Sequence, residues 1–363
     1  MSSGGLPGRT AMRTLQDLVD GAVTDGTVPG AAALVARRGE VETAAAGELE
    51  RDAIVRIASI TKPITAAAVM MLVDEGRVAL EDPIARWLPE LSSPRVVRTP
   101  SSALDDVVPA TRPISVEDLL TFRAGWGFPP DFSLPAVVEL FERLPVFGFQ
   151  GSPDDWVATL ANIPLLHQPG DAWLYNTCSD VQGVLVARVS GRPLPDFLAE
   201  RVIAPLGMAD TDFHVPAPKR HRVPPSHAAD LSPREVEPDT QQPDFPSGAG
   251  GLYSTVSDWY RFGRMLLADG DELLSKESVR RMTTDHLNDE QRKASTLFLE
   301  GAGWGFGGSV AADGRYGWVG GTGTTAHIAP TTDTVGVLLT QVEMAGPTPT
   351  PFMHRFWRYA FGN

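Results

Sequence analysis

Strand-forming sequence sits near both ends of this chain and helix-forming sequence fills the middle, so one sheet must take its strands from both termini. Residues 31–37 and 41–46 flank Arg38-Gly39-Glu40, which predicts a β-hairpin. Residues 54–58 predict a short third strand. Residues 304–311, 315–319, 325–328 and 335–341 predict four more. Terminal helices are expected over 10–25 and 351–361. Between them, helical patterns cover 116–121, 134–144, 154–161, 178–190, 195–203 and 255–267. Residues 213–247 hold eight prolines and predict a long irregular connection. The fold class that follows is α+β. An antiparallel sheet built from both termini is flanked by helices and carries an inserted, mainly helical domain. Residues 1–76 and 248–363 are assigned to the sheet domain and 77–247 to the insertion.

Ser59-Ile60-Thr61-Lys62 lies where the first strands give way to the apolar run from Ile64 to Val73. That run predicts a helix to about Glu75, with Gly76 as its stop. Pro63 is tolerated only in a first turn, which fixes the helix start close to Ser59. Positions i and i+3 share a helix face, so the Lys62 amine can reach the Ser59 hydroxyl. Serine is a weak nucleophile until a base activates it, and a desolvated lysine is such a base. The helix start adds free N–H groups for a developing oxyanion and a positive end that disfavours ammonium. The pattern alone fits equally a capping serine beside a solvated lysine.

Composition narrows the partners. The chain has 363 residues, a net charge of −14 and a pI near 4.9, against nucleic acid or an anionic membrane as partner. The single cysteine, Cys178, permits no internal disulfide and reads as a small buried hydrophobe. Residues 1–10 lack an apolar signal-peptide core, and the apolar run at 66–73 is too short to span a bilayer. A cytoplasmic location is the expectation. No histidine pair has metal-ligand spacing, and His327 reads as structural. No metal or cofactor is implied. No G-x-S-x-G elbow supports a Ser-His-Asp enzyme.

Two further motifs carry chemistry. Tyr175 follows the Pro169-Gly170 turn and precedes an apolar helix. A phenol near a cationic lysine has a lowered pKa and can act as base, then acid. Trp318-Val319-Gly320-Gly321-Thr322-Gly323 leads a strand into glycines that let a substrate approach the backbone. An N–H there can complete an oxyanion hole with that of Ser59. Gly321 to Ala326 also matches G-x-G-x-x-A. Pro330 and the strand pattern from Val335 deny that fingerprint its helix.

Ser59-x-x-Lys62, Tyr175-Asn176-Thr177 and Trp318-Val319-Gly320, in that order, resemble the serine β-lactamase and penicillin-binding-protein superfamily. The likeness is to class C β-lactamases and the related family VIII carboxylesterases. It extends to residues 119–125, 205–208 and 248–255 and to the last strands, and so covers most of the chain from about residue 10. It implies a β-lactamase/transpeptidase-like fold, with Ser59 as acylated nucleophile, Lys62 as its base and Tyr175 as proton shuttle. It places the oxyanion hole at the backbone N–H groups of Ser59 and Gly321.

The departures bear on substrate. Class C enzymes carry Lys-Thr-Gly where this chain has Trp318-Val319-Gly320. A lysine there pairs with a substrate carboxylate, whereas an indole offers one neutral N–H and an apolar face. Asn176 comes one position earlier than in the family's Tyr-x-Asn, and Thr177 takes the third place. The expectation is therefore that the amide contact to the lysine and substrate is altered. Trp318, Gly320, Thr177 and Trp126 are the expected substrate-binding residues, with Phe128, Phe132, Phe147 and Phe149 as walls of an apolar pocket or as core. The function expected is hydrolysis of small carboxylic esters through an acyl-enzyme on Ser59. An amidase or D-peptidase, a weak β-lactamase or an acyltransferase would use the same machinery. A catalytically idle ligand-binding relative would be expected to have lost Ser59, Lys62 or Tyr175.

Overall fold

The sheet unites the two ends of the chain as the strand pattern requires. The computed structural model describes residues 14–362. Its seven main strands are β1 (Gly30–Arg37), β2 (Glu40–Gly47), β3 (Gly303–Trp304), β4 (Ser309–Val310), β5 (Tyr316–Gly320), β6 (Thr324–Ala329) and β7 (Thr334–Leu339). They pair antiparallel in the order β2-β1-β7-β6-β5-β4-β3. The β1–β7 pair, with Ala33 opposite Leu338, stitches the N-terminal hairpin to the C-terminal strands.

Five of the longer helices are α1 (Leu15–Thr24), α2 (Lys62–Asp74), α3 (Thr177–Ser190), α4 (Val256–Leu267) and α5 (Pro351–Phe361). Successive strand residues face opposite sides of a sheet, and both sides of this one are covered. On β7, Val335 meets Gly263 of α4, while its neighbour Gly336 meets Ala360 and Phe361 of α5. Two-sided burial explains why β6 and β7 are buried at every position rather than alternating. Thr14 caps α1 in a capping box with Asp17; the predicted start at Thr10 lies outside the described residues.

α2 is buried from Lys62 through Leu72, and a helix apolar all round belongs inside a core. It packs on α3, and one continuous apolar cluster runs from the sheet through α2 into the helical region.

Several sequence expectations need correction. Only Val55–Arg56 of the predicted third strand is extended, and it pairs with Tyr253–Ser254 rather than joining the main sheet. Ala58 then turns away at φ 47°. The strand predicted over 304–311 is split into β3 and β4 by a glycine turn. A Cβ on Gly305 would lie 2.0 Å from the Met282 carbonyl oxygen, and one on Gly307 2.6 Å from that of Lys62. The turn is tucked against the start of α2, where only glycine fits. Short helices Lys276–Met282, Asp289–Ala294 and Thr296–Leu299 escape the periodicity because they are too brief to show it. The irregular 213–247 connection holds a 3₁₀ turn, Ala217–Arg222, and the small pair Ser226–His227 with Pro233–Arg234. Among the described residues no helix is long and apolar enough to cross a membrane.

Candidate active site

The Ser59 turn is held from every side. Ala58–Thr61 forms a 3₁₀ turn that runs straight into α2, with Pro63 in the first helical turn. Ala58 sits in the left-handed region, a conformation that costs a non-glycine residue about 1–3 kcal/mol. Surrounding groups hold it there. The Thr322 and Thr324 hydroxyls donate to the carbonyls of Arg56 (2.7 Å) and Ile57 (2.9 Å). The Trp259 indole on α4 donates to the Ile60 carbonyl at 3.1 Å.

Lys62 is fully buried, and its Nζ has three neighbours. Ser59 Oγ lies at 2.8 Å, Asn176 Oδ1 at 2.9 Å and the Ala249 carbonyl oxygen at 2.7 Å. Burial lowers the Lys62 pKa from 10.5 to about 7, with the Asp180 carboxylate pulling the other way. A neutral amine has two N–H bonds and one lone pair. Asn176 Oδ1 and the Ala249 oxygen can only accept, so they take both hydrogens. The lone pair then faces the one neighbour able to donate, the Ser59 hydroxyl.

Tyr175 completes this line. Its hydroxyl accepts from Trp318 Nε1 at 2.7 Å and hydrogen-bonds Ser59, and Lys62 Nζ lies 4.8 Å from its ring centroid. The lowered phenol pKa expected from the sequence is reversed: burial pushes it up to about 12. Its ring is packed against Trp173, Phe298 and Trp318, and Phe122 and Trp304 extend the aromatic box. Tyr175 is therefore a proton donor near neutral pH, while burial moves Lys62 down and the Asp180 carboxyl up, to about 6, so both titrate near neutrality.

Asn176 corrects another expectation. Its early position does not remove the amide from Lys62. Backbone angles of φ 82° and ψ −67° swing the side chain back onto the amine. Thr177 is simply the buried first residue of α3, and the polar contact belongs to Asn176. Trp126 is also buried, with its indole N–H given to the Ile163 carbonyl, and it offers a substrate no polar group.

Strand β5 brings the glycines to the Ser59 turn. A Cβ on Gly320 would stand 2.5 Å from the Ile57 carbonyl oxygen and 3.3 Å from Ala58 Cβ, so the approach requires glycine. Gly321 faces open space. Neither its N–H nor that of Ser59 is hydrogen-bonded within the described residues. Trp318 presents its indole N–H to Tyr175, where a lysine would present charge.

The aromatic residues divide. Phe128 stacks on Phe141 at 4.2 Å, and Phe132 leans on both Phe141 and Phe298. Phe147 and Phe149 line a cavity of about 610 Å³ that also takes in Arg56, Ser247 and Gly251. Gly250 lies between the Phe147 ring and Ala58, so this cavity adjoins the Ser59 turn. Burial pushes the Cys178 thiol up to about 12, and it is inert packing. His327 is buried against Trp357 of α5. Sequence reasoning missed Asp180 and the Ala249 carbonyl. The first looks like any acid in a helix, and backbone atoms carry no sequence signal.

A Ser-Lys-Tyr constellation at the start of a buried helix, beside a glycine-ended strand, defines a class. The Beta-lactamase family model matches residues 15–349, and the chain belongs to that family. It falls within the serine β-lactamase and penicillin-binding-protein superfamily of serine hydrolases, which includes esterases and acyltransferases. Protein Rv1367c of Mycobacterium tuberculosis (strain ATCC 25618 / H37Rv) is 41% identical over 322 residues, covering 81% of this chain and 78% of the relative. Esterase EstB of Burkholderia gladioli is 29% identical over 329 residues, covering 81% and 78%. Among solved structures, EstCE1, described as a hydrolase with promiscuous acyltransferase activity, has a TM-score of 0.81 at 21% identity. The match covers 96% of this chain and 97% of that one, and shows a shared fold.

Proposed function

We propose that this protein is a serine hydrolase that cleaves small carboxylic esters through an acyl-enzyme on Ser59. The observation that carries the reading is the Lys62 amine, whose two acceptor-only partners leave its lone pair for the Ser59 hydroxyl. Ser59 Oγ attacks the ester carbonyl as its proton passes to Lys62. The N–H groups of Ser59 and Gly321 receive the charge that develops on the carbonyl oxygen. Tyr175 gives its proton to the departing alkoxide and is reprotonated by the Lys62 ammonium, so the serine proton ends on the alcohol and the amine is neutral again. Water then enters by the same route and releases the acid, restoring the serine.

Trp318 favours an ester over a β-lactam, because it supplies no cation for a substrate carboxylate. The similarity to Esterase EstB supports the same choice. Turnover of p-nitrophenyl butyrate and of a chromogenic cephalosporin, measured side by side, tests it. Ester turnover is expected to dominate, with a fluorophosphonate probe labelling Ser59 stoichiometrically. Faster cephalosporin turnover would refute the ester assignment, and no adduct on Ser59 would refute the mechanism.

The pH dependence has a definite sign. The neutral amine is the reactive form, so kcat/KM rises by about tenfold per pH unit below the Lys62 pKa and levels off above about 7. Tyr175 stays protonated until about 12, so no falling limb from it is expected below that. A profile flat from pH 5 to 8 would exclude Lys62 as the base.

A further inference from the structure

Asp180 lies on the first turn of α3, four residues after Asn176, and is buried. Its Oδ1 accepts from the Ser247 hydroxyl at 2.6 Å and from the Ala249 backbone N–H at 3.1 Å. Ser247 Oγ in turn accepts from the N–H groups of Ala249 and Gly250, each at 3.2 Å. The carboxylate and hydroxyl together pin a tight turn at its amide face. The opposite end of the same residue, the Ala249 carbonyl, receives the Lys62 amine at 2.7 Å. The adjoining Gly248 carbonyl accepts from Thr65 of α2 at 2.8 Å, which ties the turn to the helix that carries the base.

We propose that Asp180, acting through Ser247 and Ala249, is a positioning residue that fixes the direction of the Lys62 lone pair. The proposal rests on the function argued above and adds a residue to it. The Ala249 carbonyl shares its peptide plane with the Gly250 N–H, and that N–H is held by Ser247 Oγ, which Asp180 holds in turn. If that N–H is released, the peptide plane turns and an amine hydrogen loses its acceptor. The amine then directs a hydrogen rather than its lone pair at Ser59. A buried carboxylate is costly, and here its oxygen is matched to two donors rather than to a surface cation. Asp180 also acts on Lys62 directly as a charge above about pH 6, to which burial pushes its own carboxyl up against the pull of Ser247 and Lys62. The titratable groups that face the amine are Tyr175, from the loop before α3, and Asp180, from α3 itself. Strand β5 and the 247–251 turn present only neutral groups to it.

The test is the rate at which a fluorophosphonate labels Ser59, measured from pH 5 to 9, because it reads the nucleophile without a chosen substrate. Asp180→Asn keeps the shape and an acceptor but removes the charge. Its labelling midpoint is expected to move to lower pH by about one unit, since an anion near an ammonium favours the charged form. Ser247→Ala keeps the charge but loosens the turn. It is expected to slow labelling by up to about 100-fold, the scale of a reacting group misplaced by an ångström, at an unchanged midpoint. Circular dichroism shows whether each variant is folded, and Ser247→Ala carries the test if Asp180→Asn is not. Wild-type midpoint and rate in the folded variants would overturn the proposal. Failure of the unaltered protein to label at all would instead overturn the enzyme assignment.

Discussion

Lys62→Met is expected to lower kcat/KM for p-nitrophenyl butyrate by roughly ten-thousand-fold, the upper range for loss of a general base. Methionine approximates the lysine stem but brings no amine, so the Ser59 proton has no acceptor. Tyr175 cannot substitute, because burial holds it protonated. A loss below about tenfold would show that another group is the base. The same variant has a stability signature. Lys62 titrates at about 7 in the folded protein and at 10.5 in the unfolded chain. Between those values the unfolded state binds more protons, so stability rises with pH. The slope approaches about 1.4 kcal/mol per pH unit in mid-window, and the rise is complete above the upper value. Lys62→Met removes this term. Urea unfolding of both proteins at pH 7 and 9 should therefore show a steeper gain for the unaltered protein. Equal gains would mean that the amine is charged when folded.

The second large effect is on stability. Trp259→Ala is expected to destabilise the fold by about 3–5 kcal/mol, as for other buried tryptophans cut to alanine. Trp259 is fully buried on α4 and meets Phe262 edge to face at 5.7 Å. Its indole N–H is also the partner of the Ile60 carbonyl inside the Ser59 turn. Trp259→Phe separates these roles. It keeps most of the apolar volume and deletes the donor, at a cost of about 1–3 kcal/mol for the unpaired carbonyl. Labelling of Ser59 should slow in Trp259→Phe although the protein stays folded. Denaturant titration and the probe rate check both, and full labelling speed would show that the turn does not depend on this bond.

The sequence makes the frame of the molecule readable because its signals are local. The hairpin over residues 30–47, the strands from Tyr316 to Leu339 and the start of α2 are marked by glycine, proline and apolar period. Ser59 and Lys62 are legible for the same reason, since one helical turn brings them together. What stays hidden depends on backbone direction and burial. Asn176 reaches Lys62 only because its φ is positive, which no residue-spacing rule foresees in an asparagine after tyrosine. The phenol of Tyr175 looks acidified beside a lysine. Its aromatic box, assembled from residues 122 to 318, decides otherwise. The gap between β3 and β4 reflects the Lys62 and Met282 carbonyls, which press on glycines distant in sequence.

Ala58, Phe122 and Asn176 all hold left-handed backbone, at φ 47°, 59° and 82°, and all three border the Ser59–Tyr175 centre. Glycine would relax each of them locally. At Phe122 and Asn176 that relief would cost a core ring or the hold on Lys62, so a programme that selects variants for heat tolerance alone would be drawn to Ala58, and there the hardier protein would be the less reactive one. The chain keeps its least comfortable conformations where a softer backbone would let hydroxyl, amine and phenol drift out of line.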